Sequence, residues 1–115
     1  MEELGKVVNL LRQAYTKLLI AERFRRDRRV RNELLMVSAM TGLPVLPQFM
    51  SNVYLSSALS DLKKAYKKLE KISSGAGEEA LVARRVMALL RDYKNMDVER
   101  LRTSLVKALN EAGYA

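Results

Sequence analysis

Apolar positions at three- and four-residue steps run through most of the chain. Near the N-terminus Leu4, Val7, Val8, Leu11, Ala14, Tyr15, Leu18 and Leu19 keep the period of a helix that buries one face. Nothing ends that pattern before Thr41-Gly42-Leu43-Pro44. There a glycine suits the left-handed position after a helix, and a proline two residues on cannot continue it. Pro47 suits the first position of a second helix, striped by Leu55, Leu59, Leu62, Ala65, Tyr66, Leu69 and Ile72. The turn Ser73 to Gly77 closes it, and Glu78 and Glu79 suit the positive end of a third helix lined by Val82, Val86, Leu89, Leu90 and Tyr93. Asp97 then offers an N-cap for a fourth, with Val98, Leu101, Leu105, Ala108, Leu109 and Ala112 along one face and Gly113 as its stop. No alternating strand pattern competes. The pattern predicts an all-α chain forming one domain over residues 1–115: a long N-terminal helix, about 2–41, plus three shorter ones, about 47–73, 78–94 and 97–112.

The first of these helices carries a difficulty. Forty residues of continuous helix span roughly 60 Å at about 1.5 Å per residue. A compact domain of this size has a radius of gyration near ~13 Å and a diameter of about 35 Å. The helix must kink, project, or lie against something outside the chain. The place to leave the bundle is the stretch Ala21 to Glu33, where six arginines (Arg23, Arg25, Arg26, Arg28, Arg29, Arg31) fall within nine residues. At about 100° per residue they spread almost round the helix. Phe24 and Val30 are the large apolar side chains there, too few to anchor three turns in a core.

Charge sharpens this picture. The chain is +8 overall, and the excess sits in two blocks: residues 23–33 carry +4 and residues 61–72 carry +3, while residues 34–60 carry none. Concentrated positive charge points to a polyanionic partner. Guanidinium groups grip phosphate through paired hydrogen bonds, so the arginine block reads as a nucleic-acid-binding segment. The plain alternative is a solvated helix whose arginine stems shield apolar surface. Lys63, Lys64, Lys67, Lys68 and Lys71 form the basic back of an ordinary amphipathic helix; alone they read as a solvated face, and beside the arginines they could wall a phosphate groove. Tyr15, Tyr54, Tyr66 and Tyr93 fall on apolar stripes, which leaves Phe24 as the aromatic inside a basic run. Reading of unpaired bases needs exposed stacking platforms, so duplex DNA bound through its backbone is favoured over RNA or single strands.

The uncharged middle reads as an interface. Leu34, Leu35, Met36, Val37, Met40, Leu43, Val45, Leu46, Phe49, Met50 and Val53 put apolar cover on every side of a short helix pair. That exceeds what one small domain buries, so the bundle is expected to be completed by oligomerisation with like or different helical subunits. Each half of the segment is short, and Gly42, Pro44, Pro47, Gln48 and Asn52 interrupt it, which argues against membrane spanning and leaves shallow lipid contact as the lesser reading.

Chemistry is not apparent. The chain has no cysteine and no histidine, so a thiolate, a zinc cluster and the commonest general base are all missing. The Ser73 to Gly77 turn lacks the spacing and lysine of a P-loop. We expect no enzyme activity, no metal and no cofactor. The start MEELGKVVNL lacks the layout of a secretory signal.

In architecture and charge layout, though in no diagnostic motif, the chain resembles the major capsid (nucleocapsid) proteins of filamentous viruses of hyperthermophilic archaea. That resemblance implies a structural protein coating duplex DNA without sequence specificity, dimers within a helical filament, and a place in the virion; without it the location would be cytoplasmic. The scarcity of glutamine and absence of cysteine fit a hot habitat. Two further readings share the basic helix: a small subunit of a ribonucleoprotein complex like the CRISPR effectors, and an adaptor that meets an acidic protein.

Overall fold

A computed structural model describes residues 2–42 and 47–113. All regular structure among them is helical: α1 (Glu2–Arg26), α2 (Arg28–Thr41), α3 (Pro47–Ser73), α4 (Glu78–Leu90) and α5 (Val98–Glu111), with one 3-10 turn at Tyr93–Asn95. The single helix expected over 2–41 is therefore two. At Asp27 the backbone turns extended (φ −79°, ψ 107°), and the carboxylate accepts hydrogen bonds from the backbone N–H groups of Arg29 and Val30. An aspartate satisfying the free donors of a helix start is an N-cap, and it ends one helix as it begins the next.

The third expected helix, 78–94, is also shorter. α4 stops at Leu90, and the chain makes the 3-10 turn before Asp97, whose carboxylate caps α5 through the Arg100 N–H. Gly42 and Gly113 both adopt the left-handed conformation that closes a helix.

α1 and α3 run antiparallel, pinned where the Ser51 hydroxyl donates to the Ala21 carbonyl at 3.0 Å and where Lys17 meets Asp61 at 2.6 Å. α3 packs on α4, α4 on α5, and α5 returns to α1, so the four helices ring one core. Val7, Leu11, Ala14 and Leu18 from α1 meet Ala58, Leu62, Ala65 and Leu69 from α3, with Val86, Leu90, Leu101 and Leu105 closing the other side. Alanines at three of these positions (Ala14, Ala58 and Ala65) let the helix axes approach closely.

α2 lies outside this ring. No residue in it is buried. Val30, Leu34 and Ser38 are half-buried along one edge, and its main packing is light, against α1 and α3. The molecule is consequently elongated, with extents of 57 × 24 × 20 Å and a radius of gyration of 16.6 Å, well above the ~13 Å of a compact chain of this length.

Candidate nucleic-acid interface

The arginine block occupies the elbow between α1 and α2. Arg23, Arg25 and Arg26 form the last turn of α1, and Arg28, Arg29 and Arg31 begin α2. All six are exposed. Arg23 lies 4.0 Å from Asp27 and Arg29 lies 3.7 Å from Glu33, both loose surface pairs of little energetic worth. Among the described residues Arg25, Arg26, Arg28 and Arg31 have no ion pair or side-chain hydrogen bond.

Asp27 adds a subtlety. As the acid inside the run it should neutralise its neighbours, yet one of its oxygens serves the α2 backbone. Arg25 and Arg26 also overhang a recess of about 330 Å³ shared with Glu22, Asp97, Val98 and Glu99. Glu22 is already engaged there by Arg102 of α5, an ion pair that fixes the last turn of α1 against the bundle. The base of the elbow is therefore held while its outer side stays open.

Phe24 does not offer a free stacking platform. Its ring lies 5.6 Å from that of Tyr54, tilted 30°, which ties the end of α1 to the start of α3. The expected packing role of the tyrosines holds for Tyr93, which is buried, while Tyr15, Tyr54 and Tyr66 are half-buried. Tyr66 and Tyr93 lie 6.1 Å apart; burial foremost, and then the neighbouring Tyr66, push the Tyr93 phenol above its ordinary value.

The lysine row is elsewhere. Lys63, Lys64, Lys67 and Lys71 are exposed and Lys68 is half-buried. Because Ser51 marks the level of Ala21, the row begins about 18 Å and ends about 30 Å down the α3 axis from that level, and the arginine elbow lies on the other side of it. The two basic blocks do not form the walls of one groove.

The apolar segment lies beside the elbow. Leu35, Met36, Val37 and Met40 of α2 and Phe49 and Val53 of α3 are exposed, Met40 at 80% and Phe49 at 58%. Leu34 and Met50 are half-buried. Leu43, Val45 and Leu46, expected at the same interface, lie outside the described residues. Among the described residues no helix is long and apolar enough to cross a membrane, and no three potential ligands gather to hold a metal ion.

The relationships that sequence reasoning missed are long-range: Lys17–Asp61 and Glu22–Arg102 join positions far apart in the chain. Neither carries a local signal, since their meeting depends on how the helices register.

No family model matches the chain, and no solved structure matches it. BREX protein BrxA of Escherichia coli O9:H4 (strain HS) is 33% identical to it over 97 residues. The chain is similar to a BREX protein. The match covers 84% of this chain but spans only 41% of the length of that relative. It overturns the resemblance to archaeal virus capsid proteins, and the nucleocapsid role, the DNA-coating filament and the virion location implied by that resemblance go with it. Charge layout and helix content had carried that comparison, and many basic helical proteins share both.

Proposed function

We infer that this chain is a BREX-type component that binds the phosphate backbone of duplex DNA through the Arg23–Arg31 elbow, independently of base sequence. The observation that carries this reading is the exposure of all six arginines around the break at Asp27, four of them without an intramolecular partner among the described residues. Cations left unpaired on two differently directed helix ends can meet phosphates along a curved backbone, each contact positioning the protein without reading bases. The engagement of Phe24 with Tyr54 favours backbone contact over base stacking. Likeness to a BREX protein supports the setting.

The reading has a second part. The exposed apolar side chains of α2 and early α3 form a self-association surface, on which the helix bundle of residues 1–115 is completed by a second copy. Isolated helices of this length are marginal in water, and most helical stability comes from packing an apolar face. A helix with no buried residue gains that packing from a neighbour.

Replacing Arg25, Arg26, Arg28 and Arg29 with Ala tests the DNA reading. Affinity should fall by a similar factor for duplexes of unrelated sequence, measured by fluorescence anisotropy. Unchanged affinity would refute it, and displacement of a bound acidic protein instead of DNA would move the elbow to protein recognition.

A further inference from the structure

A second recess lies at the other end of the bundle, in the groove between α3 and α4. It holds about 240 Å³ and is lined by Tyr66, Ser73, Arg84, Met87, Ala88 and Arg91. The helices run antiparallel, so Arg84 faces the level of Ser73 and Arg91 faces that of Tyr66. Arg84 of α4 and Arg91, the residue that caps it with helical backbone angles, are seven residues apart on the same face, about 10 Å from each other along the axis.

The groove is partly organised in advance. Arg84 Nη2 donates to the Ser73 carbonyl at 3.1 Å, which holds its guanidinium at the C-terminal end of α3 and leaves other N–H donors on the fork. Arg91 is exposed and, among the described residues, makes no ion pair or side-chain hydrogen bond. The Tyr66 ring, 6.1 Å from that of Tyr93, lines the recess together with Met87 and Ala88. Lys63 and Lys67 of α3, three residues before Tyr66 and one after it, are exposed and lie outside the lining of the recess. The carboxylate on that stretch of α3 is Glu70, while Asp92 lines the neighbouring recess towards α5. Positive charge therefore prevails around a concave surface with hydrogen-bond donors at both ends.

We propose that this groove binds phosphate groups, with Arg84 and Arg91 as the two gripping residues and Lys63 and Lys67 supplying additional field. The site is separate from the arginine elbow and does not depend on its function. The phosphate can belong to a small phosphoester or to a second stretch of nucleic acid, and the chemistry of recognition is the same.

Amide NMR on the full ¹⁵N-labelled chain tests this. Sodium pyrophosphate should shift the amides of Ser73, Arg84, Ala88 and Arg91. Arg84→Gln with Arg91→Gln should weaken that response about tenfold or more, as expected when charge-assisted hydrogen bonds are lost. Spectral dispersion reports whether the variant is folded, and Arg91→Gln alone, which keeps the Arg84–Ser73 tie, should weaken binding by a smaller factor. A twelve-base-pair duplex added to the variant with Arg25, Arg26, Arg28 and Arg29 changed to Ala separates the sources. Groove shifts there mean nucleic-acid backbone, and shifts with pyrophosphate alone mean a small phosphoester. No groove shift with either probe, or shifts that survive in the double variant, would overturn the proposal. Shifts at Arg23–Arg31 report separately on the elbow.

Discussion

The carboxylate of Asp27 accepts a hydrogen bond from the backbone N–H of Arg29 at 3.0 Å, so the acid inside the arginine run is also the residue that divides the first helix in two. Without that cap the chain has good helical pattern on both sides. The division turns Arg28, Arg29 and Arg31 away from the direction set by α1 and opens the elbow.

Asp27→Ala should therefore remove a cap worth about 1 kcal/mol and let residue 27 join a continuous helix. Spin labels at Thr16 and Met36, both exposed, should move from a shorter separation to about 30 Å between the backbones, the value for twenty helical residues. An unchanged distance would mean that packing of Val30 and Leu34, and not the cap, sets the bend.

The Lys17–Asp61 pair at 2.6 Å is the main polar tie between α1 and α3, with the Asp61 side chain only 9% exposed. Lys17→Met leaves that carboxylate without its partner and should cost about 3 kcal/mol, at the lower end for a buried pair because Lys17 itself reaches solvent. Adding Asp61→Leu should restore most of the loss. Urea unfolding midpoints of the two variants measure both effects, and equal destabilisation would show that the aspartate finds water instead.

Core and surface apolar residues should separate cleanly. Leu11 is fully buried, and Leu11→Ala should cost 2 to 5 kcal/mol, typical of a roughly leucine-sized cavity. Met36→Lys with Met40→Lys should leave the unfolding midpoint of dilute protein within about 0.5 kcal/mol, since both side chains are exposed in the single chain. The same pair should abolish self-association in sedimentation experiments. A wild-type chain that stays monomeric at high concentration would remove the second-copy reading.

The sequence was most legible where a breaker coincides with a change of period. Gly42, the Ser73 to Gly77 turn and Asp97 all mark helix ends that the structure shows. Asp27 was missed because no glycine or proline accompanies it and because helical residues flank it on both sides. The pause in the apolar stripe between Ala21 and Val30 marks where the first helix must kink or leave the bundle, but it does not single out Asp27 as the residue that divides it. The end of α4 at Leu90 was missed for a like reason, as Arg91 and Asp92 are tolerated in a helix. Separation of the lysine row from the arginine elbow depends on the antiparallel register of α1 and α3, fixed by Ser51 meeting Ala21. No local pattern encodes that.

Backbone binding at the elbow is tested by the salt dependence of affinity for a generic DNA duplex. Six arginines at the elbow that each neutralise one phosphate predict a slope of log affinity against log salt near about −5. The four-arginine variant should flatten it to about −2. A slope near zero, or one unchanged by removing those arginines, would mean that the elbow does not bind the DNA backbone.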